Sequence, residues 1–134
     1  MAFQNATETP ALEAGTVRNH SITDVQYVAV KSGTLPLAGN VLTIDSTGEL
    51  VPYDGTTASG VGKANLAGTI DGDGTTDQLL TMGFISVAVL TGETPVLGDT
   101  VGVDATAGEV IVGGTFGTFI KEEQTDIWTI RVGW

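Results

Sequence analysis

The chain has 134 residues, with sixteen acidic against five basic side chains for a formal net charge of −11, nineteen glycines and no cysteine. That length suits one domain with a modest core, and the charge argues against DNA, RNA or an anionic membrane as partner, because phosphate binding needs clustered Lys and Arg. Without cysteine there is no disulfide framework and no thiolate metal site, while plentiful Gly, Thr and Val with little helical periodicity predict an all-β fold.

Residues 1–24 read as an extended N-terminal arm. Ala6-Thr7-Glu8-Thr9-Pro10 and its neighbours are polar, lack sustained alternation and hold too little apolar surface to fold alone. The first residues have neither a basic stretch nor an apolar one, and the longest apolar run, 84–90, is far short of a membrane span. The expectation is a protein made in a cytoplasm, without membrane contact.

Residues 25–134 read as a single β-domain. Short β-branched runs bounded by Gly, Pro and Asp predict ten strands, near 25–31, 41–45, 49–53, 60–64, 78–82, 85–90, 100–104, 109–112, 118–122 and 126–132. The chain also repeats itself. Val28-Ala29-Val30-Lys31-Ser32-Gly33 returns as Val87-Ala88-Val89-Leu90-Thr91-Gly92. Pro36, Gly39, Ile44 and Asp45 return as Pro95, Gly98, Val103 and Asp104, and Gly48-Glu49-Leu50-Val51 returns one residue further along as Gly108-Glu109-Val110-Ile111. Each copy is a three-strand meander, and two copies are too few for a solenoid. The predicted architecture is therefore a small Gly-rich β-barrel or β-clip-like domain with two pseudo-repeated meanders. Trp128 follows the alternation of the last strand and is expected in the core; Trp134 ends the chain.

The inventory for catalysis is thin. The one histidine, His20, lies in the arm, which leaves no folded base for a nucleophilic triad, and no cofactor is expected. Asp45, Asp54, Asp71, Asp73, Asp77, Asp99 and Asp104 could in principle supply paired carboxylates for glycoside hydrolysis. However, Asp45 and Asp104 hold equivalent turn positions, where a carboxylate caps backbone N–H groups. Asp71-Gly72-Asp73-Gly74-Thr75-Thr76-Asp77 resembles the opening of a calcium loop, yet Met82 stands where the bidentate Glu would be, so no metal site is expected. Gly113-Gly114-Thr115-Phe116-Gly117 contains no phosphate-loop Lys and reads as a turn.

Leu50-Val51-Pro52-Tyr53-Asp54-Gly55-Thr56-Thr57, followed by Gly60-Val61-Gly62, resembles a segment of the lambda-type head decoration (capsid cement) proteins of tailed phages, in which an aromatic strand runs into an Asp-Gly-Thr-Thr turn. Val41-Leu42-Thr43-Ile44-Asp45 fits the same pattern, and Gly98 to Asp104 looks like the wider group of capsid cement proteins. The second meander has no counterpart in the lambda-type pattern. The resemblance implies a non-enzymatic protein on the outer surface of an expanded phage head, commonly a homotrimer, that clamps adjacent major capsid proteins. Phe3, Leu12, Val17, His20 and Ile22 are the arm's candidate capsid contacts, able to act by adding a strand to a capsid protein's sheet, and Tyr53 and Asp54 join them from the motif. The alternative reading is a carbohydrate-binding or adhesin-like β-module, with exposed aromatics stacking on sugars and the 71–77 loop holding calcium.

Overall fold

The computed structural model describes residues 14–18, 23–63 and 76–133. Among the described residues nine strands run in chain order: β1 (Asp24–Ala29), β2 (Val41–Ile44), β3 (Leu50–Pro52), β4 (Gly60–Gly62), β5 (Thr76–Ala88), β6 (Thr100–Val103), β7 (Val110–Val112), β8 (Gly117–Gln124) and β9 (Ile127–Val132). No helix occurs among the described residues, and the domain is the small all-β unit expected from composition. The strands hydrogen-bond in the order β3-β2-β4-β5-β9-β8-β6-β7, with β1 on β5.

Nine strands stand where ten were expected because the runs 78–82 and 85–90 belong to one thirteen-residue strand, β5. Its first half pairs with β1 and β4, its second with β9. The change of partners falls at Gly83. Its φ of +140° is a conformation that side-chain-bearing residues rarely adopt, and a Cβ there would meet Thr23 Oγ1 at 3.1 Å. Gly83 punctuates the sequence like a turn, but here it lets a strand continue into a new ladder.

β5 is the key to the architecture, because it closes one five-strand unit and opens the next. The first unit runs β3-β2-β4-β5-β1; the second runs β7-β6-β8-β9-β5, with the second half of β5 in the place of β1. Registers agree pair by pair. Val25↔Leu80, Gln26↔Leu79 and Tyr27↔Gln78 in the first unit match Phe84↔Arg131, Ile85↔Ile130 and Ser86↔Thr129 in the second. Turn bonds repeat as well: Gly39 N–H donates to Gly62 O at 2.9 Å as Gly98 N–H does to Phe119 O at 2.9 Å. Gly39 and Gly98 have φ of +83° and +91°. The three-strand repeat visible in the sequence is thus part of a five-strand one.

The core does not divide along the same line, because the larger cluster draws Val41, Val61 and Leu80 from the first unit. The larger cluster contains Val41, Ile85, Val87, Val101, Phe119, Trp128 and Ile130, and the smaller is Val30, Leu42, Leu50 and Leu79, partly covered by Val28 and Ile44. Trp128 is buried, as expected, with its ring edge-on to Phe119 at 5.4 Å between centroids and 81° between planes. Trp134 lies outside the described residues.

Residues 14–18, within the stretch read as an arm, pack on this fold. Val17 pairs antiparallel with Ile85; Ser86 N–H donates to Thr16 O at 2.9 Å and Arg18 N–H to Phe84 O at 2.8 Å. Val17 is 7% exposed and packs in the larger cluster. The sequence hid this because one inward-facing β-branched residue in a polar stretch has no periodicity to announce it.

Candidate interaction site

Of the seven candidate contacts, Phe3, Leu12, His20 and Ile22 lie outside the described residues. Val17 is in the core, so its side chain faces inward in this conformation. Tyr53 and Asp54 sit together where β3 runs out. Tyr53 is half-buried against the larger cluster, beside Gly108, whose Cβ would come within 3.0 Å of the Tyr53 Cβ. Asp54 is exposed, and its Oδ1 accepts N–H bonds from Thr56 at 2.8 Å and Thr57 at 2.7 Å. Thr43 ties this turn to the sheet, its Oγ1 donating to Thr57 O at 2.6 Å and accepting from Asp54 N–H at 3.1 Å. The Asp-Gly-Thr-Thr motif is therefore a side-chain-capped turn.

The second unit solves the same position differently. Gly102 is the repeat partner of Thr43, and a Cβ on it would lie 2.0 Å from Gly113 O. Backbone from Gly113 and Gly114 fills the space that the threonine side chain uses in the first unit. The glycine run 113–117 is thus turn chemistry, as expected.

Asp45 and Asp104 act as the paired turn caps expected from the repeat. Asp45 Oδ1 accepts from Thr47 N–H and Glu49 N–H, both at 3.0 Å, and Asp104 Oδ2 accepts from Thr106 N–H at 3.2 Å and Ala107 N–H at 3.1 Å. Hydrogen bonding holds two carboxyls below the usual range: Asp45 chiefly through the Thr47 hydroxyl and the Glu49 N–H, Asp54 chiefly through the Thr57 and Thr56 N–H groups. A depressed folded-state pKa gives stability that is present above the unfolded value, near 3.9, and lost as pH falls through the folded value. Melting temperature should therefore decline on acidification below about pH 4, and the double substitution Asp45→Asn, Asp54→Asn should flatten that decline. Parallel melting curves for the two proteins from pH 5 to pH 2 would refute the assignment.

Between the units lies an open groove of about 560 Å³, lined by Tyr53, Ser59, Thr81, Val103, Thr115 and Phe116 among others. Hydroxyls, glycines and apolar groups make up its wall, with no carboxylate, imidazole or amine. It offers no acid–base pair. No group of three or more His, Cys, Asp or Glu side chains suited to a metal occurs among the described residues; the 71–75 part of the acidic loop lies outside them. Tyr27, 71% exposed, is the single aromatic more than about a third exposed among the described residues.

Sequence reasoning missed the exposed apolar residues of the two repeated loops. Leu35 and Leu37 in the first, Val96 and Leu97 in the second, are all more than half exposed. Leu37 and Val96 are repeat partners, each directly after a proline. The signal was available: apolar residues kept in both copies of a turn that has no need of them. Grouped apolar exposure of this kind marks interaction surfaces more often than isolated exposed side chains do.

No family model and no curated protein sequence matches the chain. Among solved structures, a chain from the capsid of Myoviridae phage XM1 superposes with a TM-score of 0.75 at 23% sequence identity, covering 98% of this chain and 97% of that one. The two share one fold. The likeness spans both five-strand units, so the duplicated architecture, absent from the lambda-type motif match, is common to a chain of a phage shell.

Proposed function

We propose that this protein is a structural component of a tailed-phage virion, a decoration or cement protein that binds the outer surface of the expanded head and clamps adjacent major capsid proteins. The observation that carries the reading is the end-to-end fold likeness to a chain of the XM1 capsid, met independently by the Asp-Gly-Thr-Thr motif at 54–57. Charge supports an outer position, since a chain of net charge −11 is repelled by packaged DNA. The apolar loops around Pro36 and Pro95 supply contact surface, and the arm residues Phe3, Leu12, His20 and Ile22, with Tyr53 and Asp54, remain candidate capsid contacts. Many weak contacts repeated over a shell add up through multivalency, and trimers are the assembly the resemblance suggests.

Co-sedimentation with expanded, undecorated heads of the parent phage tests this directly. Saturable binding to expanded heads, with raised resistance of those heads to heat or DNA pressure, is the expected result. The double substitution Leu37→Asp, Val96→Asp should weaken binding roughly tenfold or more while leaving the melting temperature within a few degrees, because exposed positions contribute little to folding. Absence of binding to any form of the head would overturn the reading.

A further inference from the structure

The duplication exposes an asymmetry at one sheet edge. In the second unit the outer edge of β5 is covered by the arm: Thr16 and Arg18 hydrogen-bond to the backbone of Ser86 and Phe84, and Val17 packs inward across from Ile85. The corresponding strand of the first unit is β1, in which Val25, Gln26 and Tyr27 match Phe84, Ile85 and Ser86 with the same pairing register. Alternate residues of an antiparallel strand turn their N–H and C=O groups to the same edge. Because Phe84 and Ser86 direct theirs at the arm, Val25 and Tyr27 direct theirs outward. Among the described residues β1 pairs with β5 alone and nothing covers that outward edge.

Packing beneath the edge is unfinished in the same sense. Val17 completes the larger cluster, in which Val87 is fully buried, whereas among the described residues the smaller has no inserted side chain in the corresponding place, and Val28, the repeat partner of Val87, is only partly buried. A six-residue strand with an open edge is a template for another chain. We infer that the outer edge of β1 receives an extended segment of the neighbouring shell protein, which pairs antiparallel with Val25 to Tyr27, points one apolar residue inward across from Gln26 and sets a basic residue beside Asp24. This occupant rests on the function proposed above.

Charge selects it over a second copy of this chain. Two protomers pairing through β1 would each bring a charge of −11 and an Asp24 carboxylate to the shared ladder, whereas a segment of the kind on the covered edge, β-branched Val17 followed by the cation Arg18, brings opposite charge to an acidic edge.

Amide hydrogen exchange of the full-length protein, free and bound to expanded, undecorated heads, tests the assignment. The expected result is slowed exchange of the 24–29 amides on head binding, by tenfold or more at Tyr27, which acquires an acceptor for its outward N–H. Tyr27→Pro removes that donor without touching the ladder to β5, a substitution edge strands accept, and should reduce head binding at least tenfold while the protein stays folded by circular dichroism. Binding to heads with unchanged exchange at 24–29 overturns this inference alone. Slowing that grows with protein concentration in the absence of heads also overturns it, in favour of a second copy. Failure to bind heads at all overturns it together with the functional reading.

Discussion

Phe119→Ala should destabilise the domain by about 3–5 kcal/mol, the usual cost of truncating a fully buried aromatic. Phe119 has no exposed surface, lies on β8 between β6 and β9, and holds the Trp128 ring edge-on. Truncation would leave a cavity in the larger cluster, and Val101, Trp128 and Ile130 beside it come from strands laddered on both sides, which limits their collapse into it. The expected melting temperature falls by roughly 15 °C, given about 3–5 °C per kcal/mol for a domain of this size. The near-ultraviolet circular dichroism band should weaken even where the variant stays folded, because Trp128 loses its fixed aromatic neighbour. A drop of less than about 5 °C, within the range of ordinary surface substitutions, would show that Phe119 does not organise this core.

Deleting residues 1–18 should cost about 2–4 kcal/mol and lower the melting temperature by roughly 10 °C. The loss combines the burial of Val17, worth about 2 kcal/mol, with backbone bonds to Phe84 and Ser86 at about 1 kcal/mol each; the entropy of ordering a short stretch offsets part of it. It would also leave the Glu123 carboxylate, 7% exposed, without the Arg18 guanidinium and with the Thr129 hydroxyl as its donor. Deletion of residues 1–13 is the control, since it keeps the pairing of 14–18 with β5 and the Arg18–Glu123 ion pair. On the function proposed here, the shorter deletion should leave the melting temperature nearly unchanged yet weaken head binding, because Phe3 and Leu12 go with it. Equal stability of the two truncated proteins would place the arm outside the fold. Equal head binding by the shorter deletion and the intact chain would remove residues 1–13 from the capsid interface.

Local chemistry made much of the domain legible from sequence alone. Strand positions follow from β-branched runs between glycines and prolines, because period-two burial and unusual φ are properties of a few adjacent residues. The turn roles of Asp45 and Asp104 were readable for the same reason: each carboxylate caps N–H groups two to four residues away. So was the repeat from Val28 to Val51, where both copies keep the same or chemically similar residues at the turns and inward-facing positions. What lay beyond sequence is whatever depends on partners distant in the chain. Gly60 and Gly117 are equivalent because a Cβ on either would strike a carbonyl across the ladder, Leu80 O at 2.5 Å and Arg131 O at 2.3 Å; nothing local to either glycine says so. The fourth and fifth strands of each unit diverged until only register relates them, so the duplication reads as three strands in sequence and five in space. That β5 serves both units, that Val17 completes one of them and that the matching edge of β1 is left open are decisions of the tertiary structure, since a ladder is defined by the two chains it joins and a sequence contains only one of them at a time.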